Sequence, residues 1–100
     1  MKYRLLVRQR AKADVRAGAR WYEGQRAGLG RDFVQEIDAA LNRIAENPVK
    51  YQVVHREARR AIVHRFPYGV FFRIEADAII VFCVIDLRQD PATWKARVTK

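Results

Sequence analysis

The sequence is poor in the residues that build cross-linked, metal-binding or membrane-spanning proteins. It has one cysteine, two histidines and one methionine among 100 residues. The single Cys83 excludes a disulfide framework or a cysteine metal cluster, and within an apolar run such a thiol packs as a small hydrophobe. The longest uncharged apolar run, Ala78 to Ile85, is far shorter than the roughly 20 residues that cross a bilayer, and no signal peptide is recognisable. We therefore expect a cytoplasmic protein without metal, cofactor or membrane partner.

Acidic residues are also scarce. Eleven Asp and Glu stand against twenty Lys and Arg, which gives a net charge of +9, and fifteen of the twenty cations are arginine. Half of the residues are hydrophobic and 11% are aromatic, so the charge decorates a folded body rather than a disordered chain. Because the guanidinium fork binds phosphate and carboxylate in bidentate fashion, this composition favours an anionic partner, either nucleic acid or an acidic protein.

Hydrophobic periodicity predicts one α+β domain over residues 1–100. We expect a strand at Tyr3 to Val7, a helix from about Ala11 to Gln25, and a second helix through Phe33 and Ile44 that Asn47-Pro48 ends. A loop then runs from Val49 to Ala58, followed by a strand ending near Arg65, a strand at residues 70–75, and an interior strand at Ile79 to Ile85. This order predicts an antiparallel helical hairpin on a mainly antiparallel sheet of about four strands, with a short basic C-terminal tail.

The stretch from Arg59 to Arg73 alternates cationic and apolar side chains through a turn at Phe66-Pro67-Tyr68-Gly69. Such alternation is typical of half-buried strands of a hairpin, and it predicts arginines clustered at one end of the sheet. We predict that this cluster meets an anionic partner.

Aromatic residues give two further expectations. Trp21 and Tyr22 are adjacent on the first helix, and we expect at least one of them to lie in the core, while a patch for a partner is the alternative. Trp94 lies beyond the last strand among basic residues, where it either anchors the tail to the body or meets the target.

Several short motifs follow one another in a characteristic order and spacing: Trp21-Tyr22-Glu23, Gly28-Leu29-Gly30 with Phe33, Asn47-Pro48, Arg59-Arg60 through Phe66-Pro67-Tyr68, and Asp90-Pro91 with Trp94 and Arg97. In these motifs the chain resembles the RelE/ParE superfamily of toxins from type II toxin-antitoxin systems, most closely its ParE branch. The resemblance implies a RelE/ParE-like fold and a toxin of the bacterial cytoplasm. It also implies a cognate acidic antitoxin, ParD-like or other, whose amphipathic C-terminal segment wraps the toxin in a hetero-oligomer.

The resemblance leaves the target open, because ParE-like members act on DNA gyrase whereas RelE-like members cut messenger RNA on the ribosome. RNA cleavage needs a base, an acid and a cation for the developing phosphate charge. The candidates for that chemistry are His64, Arg59, Arg65 and Arg88. A RelE-like catalytic tyrosine would fall near Trp94, whose indole cannot exchange the proton, and the histidine of many ParE relatives is Asp86 here.

We therefore favour a toxin that inhibits gyrase by binding, without a catalytic residue of its own, over a ribosome-dependent endonuclease. A basic nucleic-acid-binding module is the third alternative. The residues expected to bind the target or the antitoxin are Arg59, Arg60, Arg65, Arg73, Arg88, Trp94 and Arg97.

Overall fold

The fold was obtained as a computed structural model, which describes residues 3–98. Strands and helices follow in the order β1 (Arg4–Val7), α1 (Gln9–Gln25), α2 (Leu29–Glu46), β2 (Val53–His55), β3 (Ala58–Ile62), β4 (Tyr68–Glu75), β5 (Ala78–Asp86) and α3 (Ala92–Val98), with a 3₁₀ turn at Pro48–Lys50 before β2. The strands form one sheet in the order β1-β5-β4-β3-β2, in which β1 is parallel to β5 and every other pair is antiparallel. The predicted α+β class is confirmed.

The helical hairpin covers one face of the sheet and encloses the main core. The apolar stripe of α2 supplies Phe33, Ile37 and Ile44, each at most 2% exposed, against Val70 and Phe72 of β4. Burying a side chain of this size contributes roughly 1.5–3 kcal/mol, so this stripe is a large share of the stability. The spacing that predicted the second helix is therefore the spacing that packs it.

Glu23 explains why the two helices meet in a short turn. Its carboxylate accepts hydrogen bonds from the backbone N–H groups of Gly28 and Gly30 at 3.1 Å, and so satisfies donors at the positive end of α2. Gly28 has φ +89°, and a Cβ at Gly30 would lie 2.6 Å from the carbonyl oxygen of Ala19. Gly28 is therefore favoured by its left-handed backbone conformation, and Gly30 by the close approach of α1.

A second core lies on the opposite face of the sheet, beneath α3. Trp94 is 7% exposed and its ring stacks on Phe71 at 4.5 Å between centroids. Cys83 also lies in this cluster, where burial raises the pKa of its thiol to about 11, as expected of a cysteine that packs as a hydrophobe. The residues predicted to form a tail are therefore a helix that closes this face.

Three sequence predictions need correction. The sheet has five strands rather than about four, because β2 lies within the segment predicted as a loop from Val49 to Ala58, and Val54 packs on the second core. The predicted basic tail contains α3. Strand β3 ends at Ile62 rather than near Arg65, and the connection to β4 occupies residues 63–67, where Arg65 has φ +73°.

Candidate functional site

The arginines predicted to cluster after β2 point in three directions. Arg59 donates from Nη1 to the carbonyl oxygens of Val49 and Tyr51, at 3.1 and 2.7 Å, and so ties the preceding segment to β3. Arg65 extends to α2, where its Nη2 lies 3.6 Å from an Asp32 carboxylate oxygen. The half-buried Arg60 lies over Gly69 of the neighbouring strand, with its stem 3.3 Å from the position of a Cβ there. These three side chains therefore have different contacts within the fold, and their shared role in binding stays a prediction.

The remaining predicted binding residues lie elsewhere. Arg88 is exposed beyond β5, and Arg73 is half-buried on β4 with its Nε 2.5 Å from a Glu75 oxygen, a hydrogen bond that lowers the pKa of Glu75. Arg97 is a structural side chain that is only 11% exposed. Its Nη2 donates to the carbonyl oxygen of Phe82 at 2.7 Å, and Trp94 is core, as described above.

The two histidines lie outside the sheet interior. His64 is exposed in the connection after β3 rather than within the strand, which corrects its predicted position. His55 ends β2 half-buried, with its ring 6.1 Å from that of Trp94. Within residues 3–98, no group of three or more His, Cys, Asp or Glu side chains is placed to hold a metal ion.

A groove of about 430 Å³ opens between α1 and the neighbouring ends of β4 and β5. We call it the aromatic groove; it is defined by Trp21, Tyr22, Tyr68, Asp86 and Arg88. Gly18 of α1 also lines it. A Cβ at this position would lie 2.8 Å from the ring of Phe33, so a larger residue would hold the helix away from the core. Its size is within the range of grooves that accept a small ligand or a few anchor side chains.

Trp21 is the unusual residue of the aromatic groove. Tyr22 is buried against Phe33 and Phe66, whereas Trp21 is 56% exposed and meets Tyr22 edge-on at 5.0 Å. The expectation that at least one of the pair lies in the core is confirmed by Tyr22. Exposed tryptophan beside tyrosine and arginine is the composition of protein-binding hot spots.

The charged side chains of the aromatic groove form ion pairs, and the pKa values of its titrating groups are shifted away from neutral pH. The hydrogen bond from Arg88 Nη2, at 2.6 Å, holds the pKa of Asp86 below its ordinary value. Burial, together with the Asp86 charge, raises the pKa values of Tyr22 and Tyr68. At neutral pH these groups are a fixed carboxylate and two hydroxyl donors, which suits binding better than proton transfer.

A second surface lies on the face of the sheet that carries α3. It consists of two cavities of about 450 and 290 Å³ that share Arg73 and Phe82. We call it the arginine groove; it is defined by Arg8, Arg10, Arg56, Arg73, Arg97 and Phe82, and the acidic Glu57 also lines its smaller cavity. Helix α1 begins beside it without a side-chain cap, so the positive end of that helix adds to the local potential.

The two grooves share one wall, formed by an ion pair. Arg97 lines both grooves, and its Nη2 lies 2.9 Å from a carboxylate oxygen of Asp14, which lines the aromatic groove. Asp14 also accepts a hydrogen bond from the backbone N–H of Val84 at 2.9 Å. The pair therefore joins α1, β5 and α3 at one point.

Sequence reasoning missed the arginines at the start of α1 and in the turn between β2 and β3. Arg56 is far from Arg8 and Arg10 in the sequence, and only the parallel pairing of β1 with β5 and the short β2 bring all three to one groove. The sequence did suggest a partner-binding patch at Trp21 and Tyr22. The helical pattern alone could not show which of these two adjacent aromatic residues faces solvent.

Two solved structures share the fold of this chain. One chain of a chromosomal ParDE toxin-antitoxin system from P. aeruginosa is 18% identical, with a TM-score of 0.74 over 85% of this chain and 96% of that one. The isolated E. coli RelE toxin is 14% identical, with a TM-score of 0.63 over 94% of each chain. The fold is thus that of the RelE/ParE superfamily, while a search of curated proteins finds no match.

The amino-acid sequence identifies the family to which the chain belongs. Residues 5–91 match the ParE toxin of type II toxin-antitoxin systems, parDE. The chain belongs to the ParE toxin family, and a cognate antitoxin is implied by membership in such a system. The resemblance inferred from the motifs is confirmed. Within the described residues, no helix combines the length and apolar character needed to span a bilayer.

Proposed function

We propose that this ParE-family toxin acts in the bacterial cytoplasm by binding and inhibiting DNA gyrase, and that its antitoxin holds it inactive in a hetero-oligomer. The proposal gives it no covalent reaction of its own. Family membership supports the toxin class, and the geometry of the aromatic groove supports the mode of action.

The observation behind this proposal is the aromatic groove. Trp21 exposes more than half of its surface beside Tyr68 and Arg88, so a large anchor is available at little conformational cost. The hydrogen bond from Arg88 lowers the pKa of Asp86 and burial raises the pKa values of Tyr22 and Tyr68, so none of these groups moves toward the neutral pKa that general acid–base catalysis favours. This favours docking of a protein target over acid-base cleavage of RNA.

The charge of the chain supports its pairing with the antitoxin. A domain with a net charge of +9 attracts an acidic polypeptide over distances of about one Debye length, roughly 8 Å at physiological salt. Association with an acidic antitoxin should therefore be fast at low salt and slower at high salt.

The deciding experiment adds the purified full chain to gyrase supercoiling reactions and, in parallel, to a coupled translation extract. We expect supercoiling to stop or cleaved DNA to accumulate, with translation unaffected. Messenger RNA cut at ribosomal A sites would instead support the endonuclease alternative. Binding to DNA alone, with neither inhibition, would support a basic nucleic-acid-binding module.

A matched pair of variants connects this activity to the groove. Trp21→Ala removes an exposed aromatic from the aromatic groove, and Val49→Ala removes an equally exposed apolar side chain elsewhere, at 56% and 57% exposure. Trp21→Ala should lose inhibition while Val49→Ala keeps it. Equal activity of both variants would remove the aromatic groove from the proposal and leave only the family argument.

A further inference from the structure

The outer face of α1 carries three exposed cations, Lys12, Arg16 and Arg20, which we call the basic row. They are spaced four residues apart, so they lie on one face of the helix at intervals of about 6 Å along its axis. We propose that the basic row binds the phosphate backbone of duplex DNA. The inference rests on the proposed function in its choice of DNA, because a duplex is the nucleic acid that gyrase holds.

The basic row has no counter-charge inside the fold. Lys12, Arg16 and Arg20 form no ion pair within residues 3–98. Like charges four residues apart destabilise a helix, so the row lowers the stability of α1 without a compensating internal contact. An external polyanion removes this repulsion, and the row is therefore suited to a phosphate backbone.

The carboxylates of the two long helices do not neutralise the basic row. Asp14 pairs with Arg97, and Glu23 accepts hydrogen bonds from backbone N–H groups at the start of α2. Asp38 and the other acidic residues of α2 form no ion pair with α1 in the part of the chain that the structure describes. The three cations are thus available to a partner.

The shape of the basic row favours duplex DNA over an acidic protein or a single strand. The row lines neither groove, so it has no cavity for the anchor side chains of a partner protein. Single strands stack their bases on exposed aromatic rings, whereas Trp21, which follows Arg20, lines the aromatic groove. A duplex carries a phosphate about every 3.4 Å of its axis on each strand, so each cation of the row can meet one.

The test measures binding of the full-length chain to a fluorescent DNA duplex by anisotropy at several salt concentrations. Arg16→Gln/Arg20→Gln removes two phosphate contacts. We expect about tenfold weaker binding, and a slope of log affinity against log salt that is smaller by about 2.

The matched control is Lys50→Gln/Lys95→Gln, which removes the same charge from exposed sites outside α1 and should weaken binding less than about twofold. Because all four substituted side chains are exposed, both double variants should keep the melting temperature of the parent chain.

Three outcomes would overturn the inference. One is the absence of measurable binding between the unaltered chain and the duplex. Equal weakening in both double variants would show general attraction to a basic protein rather than a binding row. Equal or tighter binding of an RNA duplex, a single strand or polyglutamate of equal charge, with the same sensitivity to Arg16→Gln/Arg20→Gln, would assign the row to a different polyanion.

A gyrase supercoiling assay of the same proteins separates this inference from the proposed function. DNA binding that depends on Arg16 and Arg20, without inhibition of gyrase by the unaltered chain, would support the basic row and contradict the proposed function. Inhibition of gyrase together with DNA binding that is insensitive to Arg16→Gln/Arg20→Gln would contradict the basic row alone.

Discussion

The two grooves of this toxin share a wall but differ in how they present charge. In the aromatic groove Arg88 is paired with Asp86, and Arg97 with Asp14, and Trp21 is the exposed aromatic side chain of the lining. In the arginine groove Arg8, Arg10 and Arg56 have no ion-pair partner among residues 3–98, and the only aromatic side chain, Phe82, is buried at the floor.

Composition alone therefore does not locate a binding surface in this chain. Of the arginines in the predicted cluster, Arg59 donates to the carbonyl oxygens of Val49 and Tyr51 and Arg65 lies 3.6 Å from Asp32, whereas the arginine groove is lined by Arg8, Arg10 and Arg56. The two grooves therefore differ in their lining, with Trp21, Tyr22 and Tyr68 in one and five arginines around Phe82 in the other.

Breaking the ion pair between Arg97 and Asp14 should change the free energy of unfolding more than any other substitution considered. Arg97→Met leaves Asp14 without its ion-pair partner in a half-buried position, and we expect the free energy of unfolding to fall by about 2–3 kcal/mol, near the lower end for a broken buried pair. Urea unfolding at neutral pH measures the loss. Arg10→Met, at an exposed site without an ion pair in the described chain, should stay within about 0.5 kcal/mol. If Arg97→Met has an equally small effect, the ion pair is not a structural wall.

Removal of the exposed tryptophan of the aromatic groove should have the next largest effect, and this effect is on inhibition rather than on stability. Trp21→Ala should weaken inhibition of gyrase by roughly 30-fold, or about 2 kcal/mol, which is the size of a central hot spot. Because Trp21 is 56% exposed, the melting temperature should change little. The measurement is the concentration for half-inhibition of supercoiling. A loss of activity that only follows a loss of stability would contradict the docking role.

A pair of glycines in α1 tests how closely the aromatic groove depends on packing. At Gly18 a Cβ would lie 2.8 Å from the buried ring of Phe33, whereas at Gly24 nothing lies within 4 Å. We expect Gly18→Ala to destabilise the fold by about 1–2 kcal/mol and Gly24→Ala to stabilise it by about 0.5 kcal/mol. Thermal unfolding of both variants provides the comparison, and stabilisation by Gly18→Ala would show that α1 does not pack as described.

The smallest effect concerns pH. Arg88 lowers the pKa of Asp86 in the folded state, so the stabilisation is complete above the ordinary value of 3.8 and is lost as the pH falls through the lower folded value. Asp86→Asn should therefore reduce the melting temperature at pH 7, and the difference from the parent protein should shrink below pH 3.8. Asp38→Asn, at an exposed site of α2, is the control and should leave the melting temperature almost unchanged at both pH values.

The long elements were predictable because their patterns are repeated over many residues. The stripe of α2 and the apolar run of β5 each supply enough repeats to identify the element from the sequence. The short elements were not, because β2 has only three residues and α3 has seven, and both depend on contacts with distant residues. Trp94 stacks on Phe71, 23 positions earlier, and no local period reports such a contact.

The site was less predictable than the fold for the same reason. The pairing of Arg97 with Asp14 joins residues 83 positions apart, and this structural contact could not be read from the sequence, while the predicted binding role of Arg97 stays a prediction. In contrast, Arg88 was predicted as a binding residue and lies on the aromatic groove, where its role stays a prediction.

The most direct test compares one variant of each groove in the same assay, the inhibition of gyrase supercoiling. Trp21→Ala and Arg8→Gln/Arg10→Gln both change exposed side chains, and the folding of each variant is checked by its melting temperature. If the aromatic groove binds the target, Trp21→Ala loses inhibition while the double arginine variant keeps it. Equal loss of inhibition in both folded variants would contradict this division and indicate one continuous binding surface.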